Sequence, residues 1–125
     1  MTVEEIHGLQ VQRVPADGPI IATGDQTSDL IGNAWYVHAQ LLVVPARRFG
    51  TEFFDLSTGH AGEILQKLVN YGLKLAIIGD VSERERDSDA FAAFVWESNR
   101  ADHVWFLPDE DALVAKLAGR AGAVS

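Results

Sequence analysis

Three short apolar runs constrain this chain more than any other feature: Leu41-Leu42-Val43-Val44, Leu75-Ala76-Ile77-Ile78 and Val104-Trp105-Phe106-Leu107. Each is shorter than an ordinary helix, lacks a polar face and favours branched or aromatic side chains. That is the pattern of a strand buried on both faces. The runs recur at about the 30-residue spacing of a strand–helix–strand unit, and the segments between them carry helical periodicity. Between the first two, Ala61, Ile64, Leu65, Leu68 and Val69 follow the i, i+3, i+4, i+7, i+8 rule. Ser57 or Thr58 can cap that helix and Gly72 can end it. Between the last two, Ser82-x-x-Glu85 reads as a capping box opening a helix whose inner face holds Phe91, Phe94 and Val95. After the third run, Pro108-Asp109 opens a last helix through Leu113 and Leu117, stopped by Gly119.

The first forty residues are less regular. His7 to Val14 alternates, with Leu9 and Val11 opposite Gln10 and Gln12, as a half-exposed strand at a sheet edge does. Asp17-Gly18-Pro19 signals a turn, Ile20-Ile21-Ala22 is a short apolar run, and a helix capped by Asp25 or Thr27 carries Leu30, Ala34 and Val37 on one face. Strands alternating with helices imply parallel pairing through right-handed crossovers. The expected fold is a small α/β sandwich with a mixed, mostly parallel sheet of four to five strands and about four helices. It should occupy residues 1–118 as one domain, with residues 119–125 a flexible tail.

Charge and residue usage narrow the function classes. Eighteen acidic and ten basic residues give a formal charge of −8, which repels a phosphate backbone, so no nucleic acid partner is expected. No apolar run approaches the roughly 18 residues of a membrane span, and the acidic start, Met1-Thr2-Val3-Glu4-Glu5, lacks the features of a secretory signal. A cytoplasmic protein without a membrane partner is the expectation. With no cysteine there is no thiol nucleophile or thiolate metal site. His7, His38, His60 and His103 are scattered without ligand spacing, so no metal is expected. Gly59-His60-Ala61-Gly62 is too short for a dinucleotide fingerprint, so no cofactor is expected.

Ligands of parallel sheets bind beyond the carboxyl ends of the strands. Those ends lead into Pro45-Ala46-Arg47-Arg48, Gly79-Asp80-Val81-Ser82 and Pro108-Asp109. The helix opening at Ser57-Thr58-Gly59-His60 starts at the same edge. Its free N–H groups favour an anion, with Arg47 or Arg48 as counter-charge and Asp80 nearby; the plainer reading makes Ser57 and Thr58 simple caps. His60, Glu63 and Asp80 are the only set that suggests acid–base chemistry, and no nucleophile accompanies them. Glu97-Ser98-Asn99-Arg100 either ends a helix, with Asn99 as a left-handed cap, or presents Glu97, Asn99 and Arg100 to a partner. Trp105 belongs in the core, whereas Trp35 and Trp96 flank inner helix faces and suit an interface, including that of a homodimer.

Several segments together resemble the bacterial domain-of-unknown-function family DUF4180. They are Phe53 to Lys67, Asn70-Tyr71, Ala76 to Asp80, Phe94 to Arg100 and Val104-Trp105-Phe106. The likeness runs from about Ile20 to Leu117 and implies a fold rather than an activity. The order of elements, with Ser57-Thr58-Gly59 opening the second helix, also resembles the STAS domain of anti-sigma-factor antagonists. That resemblance implies phosphorylation of Ser57 or Thr58 by a kinase-like regulator that switches partner binding. It departs from the family at Leu56, which stands just before the hydroxyl residues, and in the shorter helix ending at Gly72. Two functions follow: a non-catalytic regulatory module binding a protein partner or small anion at Ser57–His60, or a small enzyme using His60, Glu63 and Asp80.

Overall fold

The computed structural model describes residues 3–21 and 25–124, with only the backbone given for residues 121–124. Ala22, Met1, Thr2 and Ser125, which figured in the sequence reading, lie outside the described residues. The sheet has five strands in the order β1 to β5: β1 Val3–Ile6, β2 Leu9–Arg13, β3 Leu41–Pro45, β4 Lys74–Ile78 and β5 Val104–Leu107. β1 pairs antiparallel with β2, and β2, β3, β4 and β5 are parallel. The helices are α1 Asp25–Tyr36, α2 Thr51–Phe54, α3 His60–Asn70, α4 Ser82–Asp87, α5 Asp89–Arg100 and α6 Glu110–Val124.

The mixed α/β sheet agrees with the sequence reading, and five details differ. The segment His7 to Val14 is not one edge strand. The chain reverses at His7 and Gly8, both with positive φ (49° and 85°), as a two-residue hairpin turn requires. The edge strand is therefore β1, and β2 is internal and parallel to β3. There are also two more helices among the described residues than the four expected, because α2 and α4 are short additional turns.

The helix expected to start at Ser82 breaks after six residues and restarts. Ser88 Oγ accepts from the Phe91 N–H at 3.1 Å, so the cap of α5 is Ser88. Ser82 is instead the first residue of α4, its N–H donated to Asp80 Oδ1. Gly119 does not stop the last helix, which runs on to Val124. A glycine in an exposed helix costs only about 1 kcal/mol relative to alanine, and Arg120 just beyond it bonds both carboxylate oxygens of Asp102.

Each face of the sheet has its own core. On one, α1, α3 and α5 cover Leu42, Val44, Leu75, Ile77, Val104 and Phe106 with Leu30, Ile31, Ala34, Ile64, Leu68, Phe91 and Val95. On the other, α6 alone supplies Leu113 and Leu117 against Leu9, Val11, Leu41, Val43, Ala76 and Trp105. This explains why the central runs have no polar face: strand residues alternate between two buried surfaces. All six phenylalanines join one edge-to-face and stacked chain from Phe49 through Phe53, Phe54 and Phe91 to Phe94 and Phe106. That chain lies in the first core and ties the β3–α3 connection to α5 and β5.

α3 stops as its sequence indicates, but its N-cap is Gly59 (φ 79°), which offers no side chain, and neither Ser57 nor Thr58 holds the cap position. Thr58 Oγ1 accepts from the His60 N–H, and Gly72 adopts a left-handed conformation (φ 68°) after the last turn. No helix among the described residues is long and apolar enough to cross a membrane.

Candidate functional site at the β4–β5 carboxyl edge

The two-sided arrangement creates a particular place in the sheet. β4 passes the chain to α4 and α5 on one face, whereas β5 passes it to α6 on the opposite face. Adjacent parallel strands whose connections diverge leave a crevice outside their carboxyl ends, the switch point where such sheets bind ligands. An open cavity of about 450 Å³ lies at that point. Gly79, Asp80, Val81, Ser82 and Glu85 line it from the end of β4 and from α4. Val95, Trp96, Asn99 and Arg100 contribute from α5, and Phe106, Leu107 and Pro108 from the end of β5.

Local geometry fixes each wall. Gly79 has φ 148°, and a Cβ built there would stand 3.0 Å from Ala46 Cβ, so the exit from β4 requires a glycine. Asp80 Oδ1 accepts from the Ser82 N–H at 2.9 Å; hydrogen bonds from the Ser82 hydroxyl and N–H hold the Asp80 carboxyl below its ordinary pKa. Trp96 and Arg100 are one helical turn apart on α5, and the guanidinium lies 4.2 Å from the indole centroid. Trp96 keeps 59% of its surface exposed, high for so large an apolar side chain.

Asn99 has a structural assignment the sequence did not reveal. It sits inside the last turn of α5, not beyond it as a left-handed cap, and the helix ends at Ala101 with φ −94°. Its side-chain amide instead pairs with the outer edge of β5, with Oδ1 accepting from the Phe106 N–H at 2.7 Å and Nδ2 donating to the Phe106 carbonyl at 3.1 Å. The amide thus mimics a neighbouring strand where the sheet would otherwise end in unpaired groups. Around it, Lys116 donates to the Asn99 carbonyl and Trp105 Nε1 to the Ala101 carbonyl, which satisfies the end of α5. Glu97 is exposed and does not line the crevice, and Arg100 stacks on Trp96 rather than pairing with Glu97.

The other sequence candidates fall elsewhere. Arg47 Nε bonds the Ala16 carbonyl, and Arg48 Nε bonds the Pro19 carbonyl at 2.9 Å, so both guanidinium groups organise the loop after β2. Ser57 Oγ donates to Asp55 Oδ1 at 2.6 Å, and Thr58 Oγ1 donates to the Glu52 carbonyl at 2.6 Å. The hollow that Thr58 lines sets Glu52, Asp55 and Asp87 against Arg84 alone, a field that opposes an anion. Neither cavity lined by Asp80 includes His60 or Glu63. Trp35 is 67% exposed and shares a separate groove between α1 and α3 with Ile31, Gly32, Lys67 and Tyr71. No cluster of three or more His, Cys, Asp or Glu able to hold a metal ion occurs among the described residues.

Sequence reasoning placed Asp80, Trp96, Asn99 and Arg100 on its candidate lists, named Ser82 within a ligand-facing strand end, and missed Glu85, Val95 and Phe106 as walls of the same cavity. The strand ends at Gly79-Asp80 and Pro108 were the available signal. No curated protein and no solved structure matches the chain. A family model described as a domain of unknown function matches residues 6–117, nearly the whole chain, and the protein belongs to that family, DUF4180.

Proposed function

We propose that this protein is a binding module for a small ligand, seated in the crevice between the carboxyl ends of β4 and β5. The observation that carries the reading is the coincidence of the switch point with a cavity of about 450 Å³, within the range of small-molecule sites. Its floor is apolar, from Val95 and Phe106, and its rim carries a few charged and polar groups, the usual composition of such sites. The helix start at Ser57–His60 is the weaker site, since its hydroxyls and both candidate arginines already serve the surrounding backbone or Asp55.

The test is chemical-shift mapping of the ¹⁵N-labelled protein against a diverse fragment library. Fragments should converge on the amides of Gly79 to Ser82, Val95 to Arg100, Phe106 and Leu107. Fragments that gather in the α1–α3 groove, or none that move the crevice amides, would refute the assignment.

A further inference from the structure

Resting on the crevice reading, we infer that its ligand is a zwitterionic amino compound of amino-acid size: Arg100 meets the carboxylate, Glu85 and Asp80 meet the ammonium group, and Val95 and Phe106 carry the apolar side chain. Opposite charges line one open cavity without pairing with each other. None of the ion pairs among the described residues joins Arg100 to Asp80 or Glu85, although all three line the same space. Among the described residues the Arg100 side chain is engaged by its stack on Trp96, which holds the guanidinium plane while leaving its N–H donors for a ligand. Glu85 is half-buried, and its carboxylate has no hydrogen bond or ion pair among the described residues. Asp80 accepts from the Ser82 N–H and hydroxyl and lies in the field of Arg86, so Glu85 is the less engaged of the two carboxylates.

The crevice is therefore lined by one guanidinium and two carboxylates that form no ion pair with one another, with a floor of Val95 and Phe106 that is 7% and 5% exposed. A ligand with one charge engages one end only and forgoes the second charge-assisted hydrogen bond. A ligand carrying both satisfies both ends. Two carboxylates against one guanidinium give the mouth a negative bias that favours approach by the ammonium group. The cavity volume suits one amino acid and is small for a dinucleotide.

The experiment titrates the ¹⁵N-labelled protein with L-leucine, L-phenylalanine, phenethylamine and 3-phenylpropanoate, following the amides of Val95, Phe106 and Leu107. Both amino acids should move these amides, and each singly charged compound should bind about tenfold or more weakly, the effect of losing one charge-assisted hydrogen bond. Arg100→Gln should weaken phenylalanine and 3-phenylpropanoate but not phenethylamine. Glu85→Gln should weaken phenylalanine and phenethylamine but not 3-phenylpropanoate. Both substitutions are at solvent-accessible side chains, and circular dichroism verifies that each variant is folded. Equal affinity for a singly charged compound, or fragments that occupy the crevice when no amino acid does, overturns the zwitterion and leaves the site standing. If neither the amino acids nor the fragment library moves the crevice amides, both conclusions fall.

Discussion

Replacing Asn99 by alanine tests how the edge of this sheet is closed. The side chain forms two hydrogen bonds with the backbone of Phe106, at 2.7 and 3.1 Å, in a part-buried setting beside a residue only 5% exposed. Each bond contributes about 0.5–1.5 kcal/mol net, and a buried group left unpaired costs about 1–3 kcal/mol. The cavity left by the amide admits water to part of the edge, so the expected loss is about 2 kcal/mol. For a chain of this length that corresponds to a fall in Tm of roughly 6–10 °C. Urea denaturation followed by circular dichroism reads the difference directly, with an unchanged m-value as the sign that the folded state is otherwise intact.

Asn99→Asp sharpens the test. The carboxylate still accepts from the Phe106 N–H, but it loses the donor and sets a negative charge against the Phe106 carbonyl. It should therefore be no more stable than Asn99→Ala near neutral pH. Both variants expose an unpaired strand edge, so both should self-associate more than the wild type in sedimentation at matched concentration. A loss below about 0.5 kcal/mol for Asn99→Ala, within the range of ordinary surface substitutions, would refute the edge-closing argument.

Three further outcomes follow from local geometry. Ser88→Ala removes the acceptor for the Phe91 N–H and should cost about 1 kcal/mol in chemical denaturation, whereas Ser82→Ala, outside the cap of α5, should cost less. Gly79→Ala forces an L side chain to φ 148° with its Cβ against Ala46, and should cost about 1–3 kcal/mol while shifting the amides of the crevice in a heteronuclear spectrum. Asp102 is held well below the usual carboxylate range, first by Arg120 and then by Lys74. Because its folded pKa is depressed, its contribution is present above the unfolded value of about 3.9 and is lost as pH falls below it. The stability difference between wild type and Asp102→Asn should be about 0.5–1 kcal/mol near pH 7, given a partly exposed carboxylate, and should shrink steadily below about pH 4; a difference that grows on acidification would contradict the ion-pair account.

The central strands were legible because their residues face two cores, which writes an unbroken apolar run into the sequence. The hairpin was not. β1 offers four residues, of which Glu4 and Glu5 are exposed, too short and too polar for an alternation to register. The reversal at His7-Gly8 was hidden too, because His-Gly is not among the Asn-Gly, Asp-Gly or Gly-Gly pairs that mark a two-residue hairpin turn. Ser82-x-x-Glu85 and Ser88 compete for the same helix start, and local spacing cannot show that the chain bends between them, at Ser88 with ψ 112°. Asn99 was misread for a related reason. An asparagine near a helix end suggests a cap, whereas its partner here, Phe106, is in the next strand and enters only through tertiary packing.

The location of the crevice depends on a step the local patterns do not contain, although the whole pattern implies it. Successive right-handed crossovers between neighbouring strands taken in order put every connecting helix on the same side of the sheet. Here those helices are α1, α3 and α5. Yet Leu41, Val43, Ala76 and Trp105 point to the other side and are at most 5% exposed, so something must cover them. Of the helices, α6 alone follows the last strand, and Leu113 and Leu117, one turn apart, give it an apolar face to lay there. Once α6 crosses under the sheet, the connections leaving β4 and β5 must diverge, and the gap between them opens beside Asp80, Glu85 and Arg100. The same requirement that closes the second core therefore opens the crevice.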